Sequence, residues 1–231
     1  MLKKYDSYVA GDIGCYTLGA LEPLAALHTQ ICMGASIPFF EGLTKTNPDK
    51  KIIAVIGDST FIHTGINGLI SAVYNKANGV IIIMDNSTTA MTGAQDHPGT
   101  GMTLKKEKTK KLSLENICVA AGADNVDIID PFDMKGLKDL LEKRGKEKAL
   151  SVVICRSACK MIDRTVKSRY KIDETKCKKC GKCIDIDCPA IIKQENGEMV
   201  IISSRCTGCG MCAQICPFGA IVQDNSDKKN E

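Results

Sequence analysis

The sequence predicts a doubly wound α/β domain with a mostly parallel sheet, followed by a small α+β domain organised around cysteines. Three observations predict it. Short apolar runs of strand length alternate with helical patterns through roughly the first two-thirds of the chain, that alternation stops near residue 165, and eight of the 13 cysteines follow in two similar runs. A βαβα alternation means a parallel sheet covered on both faces, because each parallel crossover needs a helix's length of chain. The domains are therefore drawn at residues 1–165 and 166–231.

Taken in order, the expected strands are Ser7 to Ala10, Lys51 to Ile56, Val80 to Met84, Val126 to Ile129 and Leu150 to Ile154. Helices fill the intervals, including one from Phe61 to Ala77 that follows the Gly57-Asp58-Ser59-Thr60 turn. Residues 160–182 are polar and basic and lead into the cysteine unit. Within that unit, Asn196-Gly197 precedes the alternating Met199-Val200-Ile201-Ile202, which reads as a hairpin. The tail from Asp224 to Glu231 is expected to fray.

Composition excludes several classes of function. A chain of 231 residues, 44% hydrophobic, can bury one full core and a small appendage. Apolar runs such as Ile81-Ile82-Ile83-Met84 are far too short to span a bilayer, and the first lysines are followed by Asp6 and Asp12 rather than by an apolar leader. A soluble cytoplasmic protein with no membrane partner is expected. The absence of tryptophan and an aromatic content of 4% argue against a stacking platform for single-stranded nucleic acid.

The cysteine runs carry the chemistry. Cys177, Cys180, Cys183 and Cys188-Pro189 are followed by Cys206, Cys209, Cys212 and Cys216-Pro217. Three thiolates two residues apart close on one four-iron cluster, while the fourth, before proline, reaches the other cluster. Two [4Fe-4S] clusters follow, one on Cys177, Cys180, Cys183 and Cys216 and one on Cys206, Cys209, Cys212 and Cys188. This is the dicluster ferredoxin pattern, with one departure: four residues, Ile184 to Asp187, precede Cys188, whereas Ala213, Gln214 and Ile215 precede Cys216. Structural zinc would want two separated ligand pairs, and a disulfide framework suits a small secreted domain. The formal charge of +4 falls to about 0 once eight thiolates and two oxidised cores are counted, so it need not mean nucleic acid. Lys171, Lys176, Lys178, Lys179, Lys182 and Arg205 crowd the runs, where they offset the anionic clusters or simply form a solvated face.

The first domain offers a phosphate and metal site. The strand ending at Ile56 runs into Gly57-Asp58-Ser59-Thr60, so glycine permits close approach and a helix N-terminus supplies unpaired N–H groups. The next strand ends in Asp85-Asn86-Ser87-Thr88-Thr89. Carboxylate, amide and carbonyl oxygens at neighbouring strand ends suit magnesium held with a diphosphate. No Gly-x-Gly-x-x-Gly follows any expected strand, which removes support for a dinucleotide site. Gly-Asp-Ser alone is a common turn, but with Asn86 at the next strand end the span resembles the thiamine diphosphate motif.

Longer stretches make the resemblance specific. Residues 11–19 (Gly-Asp-Ile-Gly-Cys-Tyr-Thr-Leu-Gly), 32–37, 57–61, 74–78 and 85–93 resemble the large subunit of the indolepyruvate ferredoxin oxidoreductase family, and the cysteine unit follows in the family's order. The resemblance implies that Asp58, Asn86 and the Thr88 carbonyl bind magnesium, that Gly57, Ser59 and Thr60 approach the diphosphate, and that Asp12, Gly14, Cys15, Met33 and Gly34 surround thiamine. It implies oxidative decarboxylation of an aryl 2-oxoacid with coenzyme A, giving aryl-acetyl-CoA, carbon dioxide and reduced ferredoxin, and a small beta subunit as partner. It also implies a pyrimidine-binding domain whose glutamate activates the cofactor, together with a cysteine and histidine segment before Gly11. Neither is found in these residues, so another polypeptide supplies that domain or the frame is truncated. Glu22 and Glu41 read as surface or helix-end residues.

His63 and His97 lie near the motif and could move a proton or hold a substrate carboxylate, although a histidine bonding loop backbone is an equal expectation for His97, and the stronger one for His28. Cys118, Cys155 and Cys159 are expected to pack as small apolar residues, and Met33 and Met91 to fill core unless they pack on cofactor. Two rival readings stand beside this one: an electron-transfer subunit with an inert α/β scaffold, and a related enzyme for pyruvate or 2-oxoglutarate.

Overall fold

Five parallel strands, β1 (Ser7–Ala10), β2 (Lys51–Gly57), β3 (Gly79–Asp85), β4 (Asn125–Ile129) and β5 (Leu150–Arg156), pair in the order β1-β2-β3-β5-β4. The computed structural model describes residues 7–163, 165 and 168–224. Its contacts divide into two compact units, Met1–Ile162 and Asp163–Glu231. The boundary expected near residue 165 falls among residues 164, 166 and 167, which lie outside the described residues, as do Asp6 and the tail beyond Asp224.

The central strands are nearly continuous runs of valine and isoleucine because both faces of a parallel sheet are buried. Alternate residues point to opposite sides. Ala54, Ile56, Ile81, Ile83, Val152 and Ile154 meet Phe40 of α1 (Ser36–Thr46), Leu69 of α3 (Ile66–Tyr74) and Cys118 of α4 (Leu114–Ala120). Ile53, Val55, Val80, Ile82 and Val153 meet Leu141 of α5 (Met134–Arg144) on the other face. Ser113 and Asp133 cap α4 and α5 by accepting the Asn116 and Gly136 amides.

Every expected strand is present, and four of the five extend beyond the expected ends. The helix expected from Phe61 begins three residues earlier. It opens as α2 (Asp58–Thr60), passes a π turn at Phe61–Gly65 and continues as α3. The Asp58 carboxylate makes this early start possible by accepting the Ser59 amide, one of the orphan donors of a helix start. The helix ends before Ala77, since Lys76 takes a left-handed φ of 52°.

In the second unit β6 (Arg169–Ile172) pairs antiparallel with β9 (Ile221–Asp224), and β7 (Ile191–Lys193) with β8 (Met199–Ile201). The latter is the expected hairpin, with Gly197 at φ 83° in its turn. A short core of Ile191, Met199 and Ile221 surrounds Cys183 and Cys212. Among the described residues no helix is long and apolar enough to cross a membrane.

Candidate functional site

The ends of β2 and β3 face a cleft of about 120 Å³, and nine of the residues expected around the cofactor line it: Gly14, Cys15, Met33, Gly57, Asp58, Ser59, Thr60, Asn86 and Thr88. The sheet does this directly, because Gly57 and Met84 are register partners and the chain leaves both strands on the same side.

Asp58 is the electrostatic centre. It is 2% exposed. One oxygen accepts the Ser59 amide at 2.8 Å, and the other accepts the Ser87 amide at 2.8 Å and faces His97 Nε2 at 3.4 Å. Among the described residues no lysine or arginine pairs with it. A buried carboxylate met only by amides and one imidazole is under-compensated, and a divalent cation in the cleft would correct that. The Asn86 side-chain oxygen accepts the Thr88 amide at 3.1 Å, which orders the loop carrying the other candidate oxygens. The residues present thus fit magnesium by donor chemistry. For the phosphate groups, the Ser59 hydroxyl pairs with Thr89 at 2.8 Å and Thr60 is bound to the Ile13 carbonyl at 3.4 Å.

Two expected cofactor residues lie behind the cleft. Asp12 is fully buried, with its carboxylate accepting the Ile13, Gly34 and Ser36 amides at 2.8–2.9 Å. It fastens the end of β1 to the start of α1. Gly34 has φ 86°, and a Cβ there would stand 2.2 Å from the Thr64 hydroxyl, so only glycine fits.

The histidines separate. His63 is exposed on the π turn and lines no part of the cleft. The His97 side chain is 7% exposed; its Nδ1 accepts the Gly99 amide at 3.2 Å, which leaves Nε2 as the ring N–H facing Asp58. His97 Nε2 has no well-aligned hydrogen-bond acceptor, although Asp58 lies within ion-pair reach; the 3.4 Å separation is a long contact that a shift of either side chain closes. His28 accepts the Val9 amide at 3.0 Å and lies away from the cleft. Cys118 and Cys155 pack into the two faces of the core, and burial pushes each thiol up to about 12.

Tyr16 was not among the expected residues. Its hydroxyl accepts the Gly57 amide at 3.0 Å and donates to the Ile13 carbonyl at 3.2 Å, so it joins the β1 and β2 loops beneath the cleft. Burial, then Asp12, holds its phenol well above the usual tyrosine range and keeps that donor protonated. A Cβ at Gly14 would lie 2.5 Å from the Tyr16 ring, which gives this glycine its reason. The available hint was a tyrosine two residues after Gly14, in the loop that follows β1.

A second network braces β3. Arg156 binds Asp85 and Glu115, each at 2.6 Å. Arg156 holds the Glu115 carboxyl down at about 2, so this contribution to stability is complete above about pH 4.5 and is lost as pH falls toward 2. With side chains 36% and 26% exposed, screening leaves about 1 kcal/mol. Urea unfolding of Glu115→Gln should show wild type ahead at pH 7 and the gap narrowing as pH falls toward about 2.

The eight cysteines of the second unit fall into two sets of four. Cys177, Cys180, Cys183 and Cys216 line one small cavity. Burial raises the Cys183 thiol, and Cys177, Cys180 and Cys216 raise it further. Burial pushes Cys212 up to about 11, with Cys209, Cys188 and Cys206 adding to it. Each run thus gathers its own first three thiols and the last thiol of the other, the arrangement two cubane clusters require. Among the described residues no three His, Cys, Asp or Glu side chains are drawn together as around a single metal ion.

Comparison with known proteins gives the class first: residues 12–155 match the thiamine pyrophosphate enzyme C-terminal TPP-binding domain, and residues 169–229 match a 4Fe-4S dicluster domain. The chain is 43% identical over 224 residues to indolepyruvate oxidoreductase subunit IorA of Archaeoglobus fulgidus, covering 94% of this chain and 35% of that protein. It is 43% identical over 231 residues to IorA of Pyrococcus horikoshii, covering 90% of this chain and 36% of that one. The chain belongs to the indolepyruvate oxidoreductase subunit IorA family. It spans about a third of the length of these relatives. In fold it resembles 2-oxoglutarate:ferredoxin oxidoreductase from Magnetococcus marinus, with a TM-score of 0.60 at 17% identity, over 68% of this chain and 56% of that one.

Proposed function

We propose that the chain is the diphosphate-binding and electron-delivering part of a thiamine diphosphate-dependent 2-oxoacid:ferredoxin oxidoreductase. The reaction is oxidative decarboxylation of indolepyruvate and other aryl pyruvates with coenzyme A, yielding aryl-acetyl-CoA, carbon dioxide and two electrons for ferredoxin. One observation carries this reading: an under-compensated Asp58 beside Asn86 at adjacent strand ends, in the same chain as two four-cysteine sets. Only a donor that releases electrons singly needs both. The substrate class rests on the 43% identity to the IorA proteins.

In this reading Asp58, Asn86 and the Thr88 carbonyl hold magnesium, and Ser59 and Thr60 meet the diphosphate. When bound, the cofactor supplies a carbanion nucleophile and an electron sink. Cys15 and Met33 stand at its side of the cleft. Tyr16 and Asp12 keep the strand-end loops fixed. A pyrimidine-binding domain with an activating glutamate is supplied outside these residues, a small beta subunit completes the enzyme, and the clusters favour the reducing cytoplasm.

His97 acts through Asp58 in this scheme. Replacing His97 with leucine should weaken magnesium-dependent cofactor binding about ten- to hundredfold, and glutamine, which keeps an N–H, should recover most of it. Calorimetry of cofactor with and without magnesium checks this; equal losses for both substitutions would remove His97 from the role.

The test of function is anaerobic co-purification with partner subunits, then 2-oxoacid-dependent reduction of a viologen dye. Indolepyruvate and phenylpyruvate should outpace pyruvate and 2-oxoglutarate. Faster reduction with pyruvate would overturn the substrate assignment, and no reduction with any 2-oxoacid by the complete complex would overturn the reaction.

A further inference from the structure

Resting on the reading of the second unit as a two-cluster electron-delivery domain, we propose that residues 176–182 and Phe218 form the docking surface for a small acidic one-electron carrier protein, with Lys178 and Lys182 as its guiding charges.

The two cysteine runs are alike in ligands and differ in charge. The first interleaves Lys176, Lys178, Lys179 and Lys182 with Cys177, Cys180 and Cys183, whereas Thr207, Gly208, Gly210 and Met211 separate the thiols of the second. The longer spacer before Cys188, the fourth thiol of the second set, instead carries Asp185 and Asp187, both exposed, with Asp187 in a left-handed turn at φ 52°. One set therefore sits among cations and the other has aspartates beside it.

Most of the nearby cations are already engaged. Lys171 pairs with Asp224 at 3.2 Å, Lys176 with Asp173 at 3.2 Å and Lys179 with Glu198 at 3.1 Å. Among the described residues Lys178 and Lys182 make no ion pair, and both are exposed. They line the same cavity as Cys177, Cys180, Cys183 and Cys216, together with Phe218, which is 46% exposed. Cys180 itself is exposed, which makes this set a point of close approach from solvent.

Free cations around an exposed aromatic ring and a redox centre have the composition of a small, transient, electrostatically steered interface. The complementary partner is acidic, since like charge would be repelled and a neutral carrier would gain nothing from two unpaired lysines. If the lysines served only to offset cluster charge, substituting them would alter the cluster and leave carrier binding intact.

The test uses the anaerobically loaded complete enzyme and, as probe, an acidic bacterial-type ferredoxin with two four-iron clusters, titrated by calorimetry at about 50 and about 500 mM salt. Wild-type binding should weaken with salt. Lys178→Glu with Lys182→Glu should weaken it about tenfold or more at low salt and flatten the salt dependence, with iron content unchanged. Arg205→Glu, beside the second run, should stay within about twofold. If the glutamates cost iron, the glutamine pair should show the same pattern at smaller amplitude. Unchanged binding by the lysine variants, an equal loss from Arg205→Glu, or salt-independent wild-type binding would each overturn the surface. Dye reduction bypasses the carrier, so it should persist in the lysine variants; its absence in wild type would count against the proposed reaction, and the ferredoxin titration would still decide the surface.

Discussion

Asp58→Ala should weaken magnesium-dependent thiamine diphosphate binding by about a hundredfold or more, while iron content stays at the wild-type level. The size follows from the position of the carboxylate. It is buried, holds the Ser59 and Ser87 amides, faces His97 and, among the described residues, has no lysine or arginine counter-charge. Alanine removes the charge that attracts the cation and leaves two amides unsatisfied. Asp58→Asn separates these effects in part: its single carbonyl oxygen can accept from one of the two amides and it has no charge, so the domain should lose less stability than with alanine and still fail to bind the metal cofactor. Calorimetry that finds alanine and wild type equal in affinity would remove Asp58 from the site. If asparagine binds as wild type does, charge is not what the aspartate contributes.

Cys216→Ala should lower iron from about eight to about four per chain after anaerobic reconstitution, and the surviving cluster should belong to Cys206, Cys209, Cys212 and Cys188. Cys216 lies in the last cysteine run, so a sequential pairing would assign the loss to the wrong cluster. The grouping of Cys216 with Cys177, Cys180 and Cys183 around one cavity decides otherwise. Combining Cys216→Ala with Cys177→Ala should cost no further iron, whereas combining it with Cys206→Ala should remove nearly all. The reverse pattern would show that each run closes on its own cluster.

Much of this was legible in the chain itself. Runs such as Ile52-Ile53-Ala54-Val55-Ile56, short and rich in β-branched residues, read as a strand buried on both faces, and Cys216 before proline reads as the thiol of the first set, beside which it lies. Strand ends were less legible because pairing continues into polar residues: Asp85 and Arg156 are register partners and also an ion pair, so the ladder extends where composition suggests a loop. The β6–β9 pair was missed because its halves lie at opposite ends of the second unit. Tyr16 was missed for the same kind of reason, since its partner Gly57 is 41 residues away. Placement of His97 behind Asp58 rather than in the cleft depends on how residues 87–99 fold back, and no periodicity encodes that.

Asp12 has a kinetic consequence. Its carboxylate secures three amides at the junction of β1 and α1 from a fully buried position. Those amides should exchange their protons with water slowly, because freeing them means parting the loop after β1 from the start of α1. The backbone behind the cleft is thus tied down at this junction. Entry and departure run through the outer rim, where Met33 and Met91 are 44% and 53% exposed and their unbranched side chains can change rotamer in nanoseconds.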